Sequence, residues 1–210
     1  MRLVVAKEPL TSILRWIQRL LLACAVSMAG YCGYVLMDTW SFQKAERRQL
    51  ERLLADRHAS QAGAHPLAAP AAMKAPLPVA AGGLIGSIEI PRLGLSAMVI
   101  EGTSGKILRR AAGHIRGTAL PGQSGNVVIS GHRDTFFRPL RNIRRNDIIT
   151  LTTVLGQYRY RVVSTQVVSP YDVAVLDRSE TEILTLVTCY PFYFVGAAPD
   201  RFIVRAERVA

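Results

Sequence analysis

A mainly β domain, closed into a barrel or folded as a sandwich and preceded by a membrane-spanning helix, is the architecture the sequence predicts. Three observations predict it. After Leu84 come seven or eight short β-type runs at fairly even spacing, with only one or two helical turns among them. Near the N-terminus, Leu20 to Met37 is eighteen residues without a charge. Between the two lies an alanine- and proline-rich stretch, 60–83, with only Leu67, Met73, Leu77 and Val79 scattered in it as large apolar residues.

Residues 1–19 carry Arg2, Lys7, Arg15 and Arg19 and read as a basic N-terminus. The span 20–37 is at the short end of transmembrane length, with Trp16, Tyr31, Tyr34 and Trp40 near its ends as interfacial anchors. A cleaved signal peptide competes with this reading, and Leu21 to Cys24 looks like a lipobox. A lipobox cysteine closes the apolar region, whereas here the region continues to Met37, which favours an uncleaved anchor. Basic residues flank both ends, so charge does not orient the span.

Residues 38–59 mix charge signs in a helical pattern, with opposite-sign pairs at Arg47 and Glu51 and at Arg52 and Asp56. They read as a juxtamembrane helix, either leaning on anionic headgroups or simply solvated. The stretch 60–83 reads as a semi-rigid tether, and 84–210 as the folded domain. Within that domain Leu84 to Ile90 is a strand stopped by Pro91, and Leu95 to Glu101 a second. Thr103 to Ala112 has helix signals, with Thr103 or Ser104 as cap and Gly113 as stop. Asn126 to Ser130 is a buried strand between glycines. Ile148 to Val154 and Tyr158 to Val168 form a hairpin around Gly156, and Ile183 to Thr188 and Arg201 to Arg208 complete the set.

The formal charge of +11 comes from 26 basic and 15 acidic residues, 10 and 5 of them before Ala81. It suits an anionic surface, but no arm concentrates it as a nucleic-acid reader does, so nucleic acid is not an expected partner and the membrane is. The three cysteines, two of them inside the apolar run, give no disulfide framework. No ligand spacing for a metal appears, and no cofactor is expected. His58 and His65 lie in polar stretches with no specific role.

Chemistry concentrates at two strand ends. Thr185 to Cys189 delivers a thiol to the point where Pro191 stops the ladder. A buried cysteine usually packs as a small hydrophobe, so the thiol gains meaning only with a partner. Val127 to Ser130 similarly delivers His132, and an imidazole beside a thiol can hold a thiolate or pass a proton to a leaving amine. Arg201 opens the last strand, where a guanidinium can donate to a developing oxyanion.

These stretches together resemble one family. Thr185-Leu186-Val187-Thr188-Cys189, the Gly131-His132-Arg133-Asp134-Thr135-Phe136-Phe137 run, an arginine twelve residues after the cysteine, and His114-Ile115-Arg116-Gly117-Thr118-Ala119-Leu120-Pro121-Gly122 are similar to the sortases, and most of all to class D-like members. The resemblance covers about 84–210 and implies an eight-stranded β-barrel with short helices. It implies that Cys189 is the nucleophile, His132 the general acid and base, and Arg201 the oxyanion and substrate-positioning group, with Thr188 lining the substrate site. It further implies a cysteine transpeptidase that cleaves a C-terminal Leu-Pro-x-Thr-Gly-like sorting signal through a thioester. The acyl group then passes to an amine on a cell-wall precursor or a pilin lysine. The domain then lies on the outer side of the cytoplasmic membrane, held by a single span. A thiol hydrolase of the same motif and a membrane-tethered binding module are the alternatives.

Overall fold

The computed structural model describes residues 8–62, 79–193 and 196–209. The tether expected over 60–83 therefore lies for the most part, with His65, outside the described residues. The chain forms two compact units, one up to Ser41 and one from Phe42 onward. A single helix, α1 (Glu8–Ala62), runs through both. The boundary expected at Asp38 between a span and a juxtamembrane helix leaves no break, because one aspartate costs a helix only a few tenths of a kcal/mol (about 0.5) in propensity.

In the first unit the helix is long and apolar enough to cross a membrane. Leu20, Leu21, Leu22, Val26, Met28, Tyr31 and Leu36 are all exposed, so it has no core-facing stripe of the kind a soluble amphipathic helix buries.

In the second unit the rest of α1 is not solvated all round. Its Leu50 is buried. The Gln43 amide donates from Nε2 to the Arg110 carbonyl at 2.6 Å and accepts from the Met98 N–H at 2.9 Å. Arg47 Nη2 donates to Ser96 Oγ at 2.7 Å, and Arg57 donates to the Val154 carbonyl. Both arginines thus bond to the β domain, while most of the other side chains of this part of the helix stay exposed.

That domain is a closed barrel of eight strands. In chain order they are β1 (Leu84–Ile90), β2 (Leu95–Glu101), β3 (Ala112–His114), β4 (Asn126–Ser130), β5 (Ile148–Thr153), β6 (Gly156–Val168), β7 (Ile183–Tyr190) and β8 (Asp200–Val209). Around the barrel they run β1-β2-β3-β4-β7-β8-β6-β5. Closure removes the open sheet edges that would otherwise template aggregation. Leu184, Leu186, Val127, Ile129, Val204, Ala206, Ile149, Leu151, Ile88 and Tyr160 fill the interior.

Several element bounds differ from expectation, most at β3 and at the end of β7. The helix after β2 is one turn, α2 (Gly105–Leu108), capped by Ser104 Oγ accepting from the Ile107 N–H. The residues expected to finish that helix instead form β3, and Gly113 is inside a strand. A Cβ at 113 would stand 2.3 Å from the Gly102 carbonyl oxygen, so the glycine serves close strand approach and not helix termination. β7 also runs two residues past Thr188 and takes Cys189 into the ladder.

Arg92 holds the loop before β5. Its Nε and Nη2 each lie 2.5 Å from the Asp147 carboxylate, which also accepts from the Arg144 N–H at 2.8 Å. The hydrogen bonds from Arg92, then the Arg144 N–H, hold the Asp147 carboxyl below its ordinary value of 3.8. The folded chain thus gives up this proton more readily than the unfolded one. The stability so gained is complete above that ordinary value and is lost as pH falls below it toward the depressed folded value. Asp147→Asn is expected to lower Tm at neutral pH and to flatten the acid limb of a Tm-against-pH curve.

Candidate active site

Parallel pairing of β4 with β7 and antiparallel pairing of β7 with β8 bring the three candidate residues to one end of three adjacent strands. Cys189 is directly opposite Arg201 in the β7–β8 ladder. Side chains at such opposed positions stand with Cβ atoms about 4.5–5.5 Å apart on the same face. On the other side, Ser130 of β4 pairs with Val187 of β7, and the Gly131 N–H continues the ladder by donating to the Val187 carbonyl at 3.1 Å. His132 follows two residues after Ser130, just past the last paired residue of β4.

Period-two alternation sets the face. Leu184 and Leu186 point into the barrel core, so Thr185, Val187 and Cys189 point outward. Val127 and Ile129 are likewise inside, which turns Asn126, Val128 and Ser130 outward. Val204 and Ala206 do the same for Arg201, Ile203 and Arg205. One outer face therefore carries the thiol and the guanidinium, with the β4 end that leads to His132 beside them.

Coverage of that face is graded. The segment 169–182 between β6 and β7 crosses one end. Asn126 Nδ2 donates to the Val175 carbonyl at 3.0 Å and to the Asp177 carbonyl at 3.1 Å, while its Oδ1 accepts from Thr185 Oγ1 at 2.7 Å. Thr185 is fully buried there. At the other end Cys189, His132 and Arg201 are only half-buried, so a peptide can reach them. Asn126→Ala strips the partner from the buried Val175 carbonyl and Thr185 hydroxyl and from the Asp177 carbonyl, and is expected to cost about 2–3 kcal/mol, read as a lower urea midpoint at unchanged slope.

The turn that carries His132 is rigidly supported. A Cβ at Gly131 would stand 2.8 Å from the Phe137 ring, so no side chain fits there. Thr188 Oγ1 donates to the Gly131 carbonyl at 2.8 Å. Thr188 was expected to line the substrate site, but it points to the opposite face from Cys189 and is 2% exposed. The alternation of β7 requires this: a residue next to an outward cysteine points inward. It supports the imidazole's turn from beneath.

Arg201 is oriented by its own loop, with Nη1 donating to the Asp200 carbonyl at 3.0 Å and to the Ala198 carbonyl at 3.4 Å. Among the described residues neither the Cys189 thiol nor the His132 ring makes a hydrogen bond, which leaves the lone pairs of both available to a substrate. Apo geometry of this kind tightens when substrate binds. Asn126 was not singled out from sequence, although a buried amide heading an apolar strand is a recognisable signal.

The 114–122 motif sits behind the site. His114 is buried, with Nδ1 2.6 Å from Glu101 Oε2 and Nε2 2.9 Å from the Ala119 carbonyl. It ties β2 to the β3–β4 connection and does not reach the outer face. Gly122, at φ +88°, faces the Tyr158 ring so closely that a Cβ would lie 2.5 Å from it. Both features are packing for the barrel that presents the site.

Comparison with known proteins agrees with this arrangement. The Sortase domain family model matches residues 88–209. Over 191 residues the chain is 34% identical to Sortase D of Bacillus subtilis, covering 90% of this chain and 96% of that protein. It is 31% identical over 110 residues to Sortase A of Listeria monocytogenes, covering 50% of this chain and 49% of that one. A Clostridium perfringens Sortase D5 transpeptidase structure superposes with a TM-score of 0.64 at 25% identity, covering 81% of this chain and 99% of that chain. A family match over more than half the chain, a relative matched almost end to end and a shared closed barrel leave one assignment: the chain belongs to the sortase family of cysteine transpeptidases.

Proposed function

We propose that Cys189, His132 and Arg201 carry out the transfer, acting on a sorting signal similar to Leu-Pro-x-Thr-Gly. The observation that carries this reading is the cross-strand pairing of Cys189 with Arg201, with His132 on the turn that leaves β4, the parallel neighbour of β7. The Cys189 thiolate attacks the carbonyl carbon of the signal's threonine. The carbonyl oxygen takes up the electron pair, and the Arg201 guanidinium donates to it as its charge grows. His132 gives a proton to the leaving amine, the C–N bond breaks, and a thioester remains on Cys189. An incoming amine then attacks the thioester, His132 takes its proton, and the thiolate is released with a new amide formed.

The domain partition supports a geometry for this work: a basic N-terminus over 1–19, a span over 20–37, a helical segment over 38–59, a connection over 60–83 and a catalytic domain over 84–210. A single span that holds the domain outside the cytoplasmic membrane puts it where proteins with sorting signals and surface amines meet. Incubating the full chain with a Leu-Pro-x-Thr-Gly peptide and a panel of amines, among them lysine-containing and glycine-terminated peptides, tests transfer by mass spectrometry. An amine-joined product is expected. Cleavage at threonine with water as the sole acceptor, at saturating amine, would overturn transfer in favour of hydrolysis.

A further inference from the structure

The strand-to-strand connection that leads from Cys189 to Arg201 is held from outside its own hairpin. Its first residues are anchored by rings: Phe192 meets Phe202 of β8 edge-on at 5.3 Å, and Tyr190 stacks with Phe202 at 6.3 Å. Beyond them the grip comes from the segment that follows His132. Arg133 Nη1 donates to the Pro191 carbonyl at 2.9 Å and Nη2 donates to the Gly196 carbonyl at 2.9 Å. A second guanidinium from the same segment, Arg141, lies over the Tyr193 ring at 5.5 Å.

Several features make this more than surface decoration. The acceptors are main-chain carbonyls on two sides of one connection, and the planar fork of a single guanidinium spans them, which a lysine ammonium cannot do. Arg133 is also the immediate neighbour of His132, and Pro191 is two residues beyond Cys189. One side chain therefore cross-links the two strand ends that carry base and nucleophile, at the point where neither strand has a further ladder bond to hold it. Two arginines gripping one connection from one side form a repeated device, cation to carbonyl and cation to ring.

We propose that Arg133 is a positioning residue of the active site: by bridging the Pro191 and Gly196 carbonyls it fixes the path of the β7–β8 connection, which walls the substrate groove beside Cys189. Arg133 touches no reacting atom. Its loss widens the groove and weakens peptide binding while the chemistry at a bound peptide proceeds. The groove part of this inference rests on the transpeptidase reading of Cys189; the clamp itself does not.

The test uses the full chain with Arg133→Gln and Arg133→Lys, each checked for an unchanged melting transition, and reads two quantities. Amide hydrogen exchange over 190–193 and 196–199 is expected to quicken about tenfold or more in R133Q and less in R133K, with the rest of the barrel unchanged. KM for a Leu-Pro-x-Thr-Gly peptide is expected to rise about five- to tenfold in R133Q with kcat within about twofold. A variant that merely unfolds in part would lose active enzyme and so lower kcat without moving KM. Unchanged exchange in the connection overturns the clamp. Quickened exchange with unchanged KM and kcat overturns the positioning role. If the wild-type chain turns over no sorting peptide, the proposed function fails, while exchange still decides the clamp.

Discussion

Cys189→Ala is expected to lower turnover of a sorting-signal peptide by at least about a thousandfold, because in the proposed mechanism the covalent intermediate forms on its sulfur. His132 and Arg201 remain to bind and polarise the carbonyl, but without a thiolate the step has only water as a nucleophile. The melting transition is expected to stay within about two degrees of wild type, since the substitution removes one half-buried sulfur and creates no sealed cavity. A large drop in Tm would assign the thiol to packing, and full activity would remove it from the mechanism.

His132→Gln is expected to cost about a hundredfold to ten-thousandfold in kcat/KM on the peptide, the range typical of a lost general acid–base group. Glutamine keeps a polar side chain at the turn held by Gly131 and Thr188, so the loss is chemical and not structural. The leaving group supplies a sharper signature. An amide nitrogen must be protonated to depart, whereas an alcohol leaves with far less help. A substrate in which the scissile amide is replaced by an ester is therefore expected to lose much less rate in H132Q than the amide does. Equal losses on both would place His132 in orientation and not in proton transfer.

Much of the barrel was legible because its strands announce themselves. β1, β2 and β4 lie on the residues expected of them, since each is an apolar or alternating run ended by proline or glycine. β3 was not legible: three residues show no period, and Gly113 reads as a helix stop until its close approach to Gly102 is seen. The continuity of α1 past Asp38 was hidden for a different reason. A charged residue ends an apolar run without ending a helix, and the partners of Gln43, Arg47 and Arg57 lie 49 to 97 residues away.

The site divides in the same way. Cys189, His132 and Arg201 stand in recognisable stretches, and the β7–β8 ladder sets Cys189 opposite Arg201. Thr188 shows what motif proximity omits: adjacency along a strand sends neighbouring side chains to opposite faces, so the residue before the cysteine serves the fold beneath the site. The Asn126 to Thr185 bond and the Arg133 bridges cross 58 to 63 residues of sequence, and no local pattern encodes contacts of that range.

The most direct test of the central claim is intact-mass spectrometry of the full chain after brief incubation with a Leu-Pro-x-Thr-Gly peptide, followed by acid quench and fragment mapping. The account predicts an added mass equal to the peptide cleaved after threonine, located on Cys189 and removed by hydroxylamine, as a thioester is. Peptide turnover with no adduct under any quench, or an adduct on a residue other than Cys189, would contradict it.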